Sequence, residues 1–300
     1  MPDVSGGAVG GVLCLGRTYC DLVFTGLSGM PVLGRELFAR DVAVVPGGGA
    51  FITAAHLARF GRSAALVSRL GTDPLSLGLD VGLLESGVDL SFVERAADAG
   101  PQLTVAMVQA QDRAFLSRRA GHGHPATLEA ALDAPGMRHL HIAEYATLAE
   151  IVHLVARAKQ KGLTVSLDPS WDEDLIYRAD FLQTCQGIDA FLPNVEEMAA
   201  LAGTTKIEQG LDCLTAHFPL VVLKRGADGA ILARGGDRFV RTAPKVNVID
   251  TTGAGDAFNA GFLHVWLAGG DGASCLEAAI AAGSLSVQAS GGVSALNSLA

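Results

Sequence analysis

The residues best equipped for chemistry lie between 250 and 262, where the chain reads Asp-Thr-Thr-Gly-Ala-Gly-Asp-Ala-Phe-Asn-Ala-Gly-Phe. After Asp256 the apolar residues Phe258, Phe262, Val265 and Trp266 recur at helical spacing, so Gly253-Ala254-Gly255 reads as a turn that opens a helix. Minimal side chains let the backbone N–H groups at 253 to 256 converge on one point, and the helix dipole adds positive potential there. The result is an anion site. Asp256 stands at its edge, where a carboxylate is either a helix cap or a base facing a second, substrate-borne anion. A cap alone leaves Asp250 and the paired threonines without a role.

Such a turn needs a sheet to hold it. The second half of the chain alternates strand and helix at short intervals, which predicts a parallel sheet with helices on both faces. Leu163 to Leu167 ends at Asp168-Pro169, Ile188 to Leu192 ends at Pro193-Asn194, and Leu220 to Leu223 ends at Lys224-Arg225-Gly226. Three strands therefore deliver polar or charged residues to one sheet edge, where ligands of parallel sheets gather. At the other end of the chain, the Val12 to Leu15 strand runs toward Asp21, and Gly47-Gly48-Gly49 precedes a helix stopped by Gly61. Ser63 to Leu70 and Arg138 to Ile142 read as further strands. Asp73-Pro74 opens one helix through Ser86, and Leu148 to Lys161 forms another.

Two β-rich blocks interrupt this pattern, at 22–45 and at 90–118, the second comprising Leu90 to Glu94, Leu103 to Gln109 and Ala114 to Arg118. They predict a small antiparallel sheet inserted as a lid across the mouth of the main sheet, and exposed lid strands would suit a homodimer contact.

Composition narrows the partners. The 300 residues are 49% hydrophobic, enough for a large core, and the net charge of −9 with scattered basic residues argues against nucleic acid or an anionic membrane. A small molecule is favoured. Five cysteines, odd in number and without a CxxC, read as free thiols in a reducing compartment. The first basic residue is Arg17, so Val9 to Leu15 reads as a strand rather than a signal peptide, and a cytoplasmic location is expected. The uncharged tail from Ala278 to Ala300 is rich in Gly, Ser, Gln and Asn, which predicts a buried helix followed by a loop or strand rather than a membrane span. His122-x-His124 and His139-x-His141 lack a third ligand at suitable spacing and read as structural or solvated. Asn194-Val195-Glu196-Glu197 reads as a capping box. There is no dinucleotide GxGxxG, no GxxxxGK[ST] phosphate loop and no GxSxG nucleophile elbow.

The stretch Asp250 to Phe258 resembles, without gap or mismatch, the C-terminal signature of the ribokinase-like (PfkB) family of carbohydrate and nucleoside kinases. The resemblance covers roughly residues 10 to 292 in organisation, with its specific motifs at 47–61, 194–197 and 250–262. It implies a three-layer α/β fold over residues 1–300, with lid strands from 22–45 and 90–118, and an ATP-dependent kinase acting on a hydroxymethyl group. In that reading Asp256 is the general base, and the N–H groups of Gly253, Ala254 and Gly255 stabilise the transferring phosphoryl group. Asp21, Gly47 and Gly48 hold the substrate. Asn194, Lys224, Gly226 and Gly283 fall on the nucleotide side. Glu197 holds Mg²⁺ through water, and Asp250 with the Thr252 carbonyl forms a monovalent-cation site suited to K⁺. Two positions depart from the family: Ile52 and Ile280 stand where asparagine is common. Ile52 removes a hydroxyl partner, which keeps open a nucleoside kinase beside a sugar kinase. A sugar- or nucleotide-sensing protein that kept the fold is the alternative of a different class.

Overall fold

A computed structural model describes residues 10–109, 112–289 and 291–293. In chain order its strands are β1 (Gly11–Leu15), β2 (Tyr19–Thr25), β3 (Asp41–Gly47), β4 (Ala64–Leu70), β5 (Val93–Arg95), β6 (Leu103–Gln109) and β7 (Asp112–Arg118), then β8 (Met137–Ile142), β9 (Thr164–Leu167), β10 (Ala190–Phe191), β11 (Val221–Lys224), β12 (Ala230–Arg234) and β13 (Asp237–Arg241). Nine of these form the main sheet, in the order β13-β12-β11-β10-β9-β8-β1-β4-β5. From β11 to β5 the neighbours run parallel, and β12 and β13 close one edge as an antiparallel pair.

The strands are apolar on both faces because each face carries helices. Leu13, Leu15, Val165 and Leu167 pack on one side with Leu148, Leu154, Phe181, Met198 and Leu211. Val12, Cys14, Leu66 and Val222 pack on the other with Phe51, Leu57, Phe262 and Leu276. The alternation of Val12, Leu13, Cys14 and Leu15 between the two cores is the period of two that a strand imposes. Helices at 49–59, 254–266 and 272–286 cover the second face and bring the two glycine-rich turns together.

Two expected helices are broken. The helix predicted from 74 through 86 is two short ones, Pro74–Leu77 and Asp80–Glu85, with Gly78 between them. The helix predicted from 148 to 161 is also two, Tyr145–Glu150 and Leu154–Gln160, separated by an extended Ile151 and a left-handed His153 at φ 57°. The β-branched pair Ile151-Val152 marks that second break, a residue class that crowds the preceding turn. In the C-terminal tail the helix runs Gly272–Ser286, and residues 294–300 lie outside the described residues. Among the described residues no helix is long and apolar enough to cross a membrane.

The second sheet has the order β3-β2-β6-β7. Each hairpin is antiparallel within itself, but β2 and β6 pair in parallel, so the expected all-antiparallel sheet is corrected. The reason is topological. β2 follows β1 and β6 follows β5, so both leave the carboxyl edge of a parallel sheet in the same direction. The Leu90 to Glu94 segment, expected in the lid, instead leads into β5, which pairs with β4 at the margin of the main sheet.

Candidate active site

Two glycine-rich turns set the geometry. Gly48, at φ 94°, is the N-cap of the 49–59 helix, and its neighbours are glycine because carboxylates press on them. A Cβ at position 47 would overlap the Asp21 carboxylate, and one at 49 would sit 2.7 Å from Asp256 Oδ1. Asp21 reaches this point from β2, where it pairs with Val45 of β3 and Thr104 of β6.

Asp256 arrives from the opposite direction. The N-cap of its helix is Gly253, at φ 72°, and the helix begins at Ala254, so Asp256 lies inside the first turn and does not cap it. The N–H groups of that turn have no intrahelical acceptor and carry the positive end of the dipole. Thr53 Oγ1 donates to the Asp256 carbonyl at 3.2 Å and ties the two helices together. Burial raises the Asp256 pKa from 3.8 to about 7; Asp168 adds to the rise, and Lys224 opposes it. Burial, followed by Asp250, likewise raises Asp21 to about 7.

The far end of the site is built from three parallel strand ends, as their sequence endings predict. Asp168 follows β9 and Lys224 ends β11, and the two form an ion pair. Asn259 Nδ2 donates to Asp168 Oδ2 at 2.6 Å, and the Ser170 N–H donates to Oδ1 at 3.2 Å. Burial pulls the Lys224 pKa down, but Asp168 and Glu197 outweigh it and hold the ammonium above its ordinary value. After β10, Asn194 Oδ1 accepts the Glu197 N–H at 2.8 Å while Glu197 Oε2 accepts the Asn194 N–H at 2.7 Å, the capping box that the sequence predicts. Glu197 is nonetheless raised to about 7 by burial and Asp168. Asp168 and Glu197 against the Lys224 ammonium leave this end short of positive charge, and their oxygens suit a hard cation. No group of three or more His, Cys, Asp or Glu side chains placed to hold a metal by themselves occurs among the described residues.

These groups share one cavity of about 550 Å³. Asp21, Gly48, Asn194, Glu197, Lys224, Thr252, Gly253 and Asp256 all line it, together with Asp168 and Ile52. Gly47, Asp250, Ala254, Gly255, Gly226 and Gly283 do not belong to that lining. Gly47 and Asp250 back it: Gly47 lies behind Asp21, and Asp250 Oδ1 accepts from Thr252 N–H and Oγ1 at 2.9 and 2.7 Å while Oδ2 accepts from the Gly291 N–H at 2.8 Å. Gly226 opens a short 3₁₀ turn at φ 56°. Gly283 is where two helices meet, since a Cβ there would stand 3.2 Å from the Ala254 carbonyl oxygen. Ile52 packs against Gly253, whose added Cβ would lie 3.0 Å from its Cδ1.

Sequence reasoning missed a second set of lining residues. Arg17 is buried and donates from Nη2 to both Glu150 oxygens at 2.7 and 2.9 Å, with Glu144 Oε1 at 3.4 Å from Nη1. Tyr19, Arg119, Glu144 and Trp171 also face the cavity. The partners of Arg17 lie more than 100 residues away in sequence, so spacing carries no signal; the alternation Tyr19-x-Asp21 in β2 and Ser117-x-Arg119 at the end of β7 is the one clue. His139 and His141 are buried structural groups that both bond Ser166 Oγ, at 2.8 and 2.9 Å.

The family model described as pfkB family carbohydrate kinase matches residues 12–298. An ATP-dependent ribose-1-phosphate kinase of Halopiger xanaduensis is 30% identical over 95% of this chain and 94% of its own. A fructokinase of Escherichia coli is 27% identical over 73% of this chain and 76% of its own, and a cytidine kinase of Thermococcus kodakarensis is 28% identical over 73% and 79%. Among solved structures, Arabidopsis thaliana ribokinase complexed with ribose and ATP has a TM-score of 0.80 at 23% identity, covering 95% of each chain. A ribokinase II of E. coli in complex with ATP and Mg²⁺ has a TM-score of 0.79 at 20% identity, covering 96% of each chain.

Proposed function

We propose, from the premise that the chain belongs to the pfkB family of carbohydrate kinases, that it transfers the γ-phosphoryl group of ATP to a hydroxymethyl group of a sugar or sugar-like substrate with Asp256 as general base. The observation that carries this reading is Asp256 itself, buried at a helix N-terminus in the same cavity as Asp21. Asp21 and the Gly47-Gly48 turn hold substrate hydroxyls so that one of them meets Asp256, which takes its proton as the bond to phosphorus forms. The N–H groups of Gly253, Ala254 and Gly255 stabilise charge on the transferring group. Lys224 and Asn194 face the nucleotide phosphates, with Gly226 and Gly283 on the side of the nucleotide beyond them.

Glu197, with the carboxylate oxygen its capping box leaves over, would hold a nucleotide-borne Mg²⁺ through water, and the ion would supply positive charge to the phosphates there. Asp250, whose oxygens accept from Thr252 and Gly291, and the Thr252 carbonyl would hold a K⁺ beside the catalytic loop, supplying positive charge there. Full activity in K⁺ and a loss in tetramethylammonium at equal ionic strength would support that site; equal rates would remove it.

A panel of sugars, sugar phosphates and nucleosides assayed for ATP-dependent ADP release tests the whole reading. A nucleoside kinase is the second reading, favoured by Ile52, an apolar group where a hydroxyl partner would serve a sugar. Preference for nucleosides over every sugar in that panel would select it.

A further inference from the structure

The inner face of the second sheet is ordered by the strand period. Tyr19 and Asp21 alternate on β2, and Ser117 and Arg119 alternate along β7 and the residue that follows it; all four line the cavity. The register groups them into rows. Asp21 pairs with Thr104, which pairs with Ser117, and Thr104 Oγ1 and Ser117 Oγ are 3.2 Å apart. That row offers a carboxylate and two hydroxyls, the partners of substrate hydroxyls. Because Cys20 and Arg118 both pair with Leu103, Tyr19 and Arg119 make the next row, about 7 Å away at two residues per step.

Arg119 differs from the other cations of the cavity. Arg17 is held between Glu144 and Glu150, and Lys224 is paired with Asp168 among three carboxylates. Arg119 Nη2 donates to Asp172 Oδ2 at 2.6 Å, and its guanidinium stands beside the Tyr19 hydroxyl. A guanidinium has five N–H donors in a planar fork, so donors remain, and the side chain is 42% exposed. Asp172 is shared as well, since its Oδ1 accepts the Asp174 N–H at 3.2 Å. Burial, then Glu144, raises the Tyr19 hydroxyl to about 12, so it stays a neutral donor.

Building on the kinase reading, we infer that the substrate carries an anionic substituent, a phosphate or carboxylate, which Arg119 and the Tyr19 hydroxyl bind one row beyond the hydroxyls held by Asp21. Planar, forked recognition of such groups is what arginine does best. Glu144 and Asp172 also face Arg119, so the anion takes the guanidinium donors that they leave over.

The test uses matched pairs of substrates, each with a free hydroxymethyl group: D-ribose against D-ribose 1-phosphate, and D-glucose against D-gluconate. The intact enzyme should prefer one anionic member over its neutral counterpart, and which anion is preferred assigns phosphate or carboxylate. Arg119→Gln should then raise the KM for that anion roughly ten- to hundredfold, the value of a hydrogen bond to a charged group, with the KM for a neutral sugar moved less than about twofold. Arg119→Lys, which keeps the charge without the fork, should fall between. Neutral sugars used as well as anionic ones, or an Arg119→Gln variant that shifts both equally, would overturn this inference while leaving the kinase standing. Absence of ADP release from every compound would instead overturn the kinase reading. In that event, thermal stabilisation by D-ribose 1-phosphate that Arg119→Gln abolishes still upholds the anion site, and stabilisation that survives the substitution overturns it.

Discussion

Asp256 and Asp21 meet the same glycine-rich turn from opposite sides, and both are raised to about 7, yet they are assigned different work. A base must be unprotonated in the free enzyme, so kcat/KM should fall as pH drops below about 7, and a pH profile of initial rates checks this. A profile flat from pH 5 to 8 would contradict it. Stability follows the opposite sign. A carboxyl whose folded pKa is raised above 3.8 binds its proton more tightly when native, so its contribution is fully present below that value and is lost as pH rises through 7. Asp256→Asn removes that loss and caps nothing, so its melting temperature relative to the native protein should improve between pH 5 and pH 8. In the proposed mechanism Asp21 holds hydroxyls and moves no proton, so Asp21→Ala should raise KM strongly and reduce kcat only through lost positioning. An unchanged KM would return Asp21 to a structural role.

Turns, strand ends and the lid carry the next level. Since a Cβ at 47 would overlap the Asp21 carboxylate, Gly47→Ala should reproduce the KM defect of Asp21→Ala while leaving ATP affinity intact. Normal substrate KM in that variant would show the turn to be slack. Sequence alone reached this level unevenly. The endings Asp168, Asn194 and Lys224 were readable because a buried parallel strand is a short apolar run whose first polar residue marks its exit. Asp250, Gly253 and Asp256 were readable as a contiguous motif. The parallel pairing of β2 with β6 was not, because it depends on where each strand leaves the main sheet, and β5 could not be told from a lid strand by its composition. The break at His153 carries no glycine or proline to announce it. Arg17 and Arg119 escaped notice because their partners, Glu150 and Asp172, become neighbours only in the fold.

At the scale of the molecule, one sheet presents chemistry at its carboxyl edge and a second sheet covers it. The cover has an outer face as well as an inner one: Val42, Val44 and Leu116 project from it and are exposed. Such a face on a lid suits a second copy of the chain, and sedimentation at rising concentration should reveal a dimer that Leu116→Asp weakens; a strict monomer would remove the idea. Steady-state phosphorylation by the native enzyme and Asp256→Asn, with ATP affinity measured on both, separates a general base from a structural carboxylate. Asparagine keeps the shape and leaves the Gly253 cap untouched, so a folded variant with near-native ATP affinity and kcat reduced roughly 10²- to 10⁴-fold is the predicted result; a variant that retains most of its kcat would contradict it.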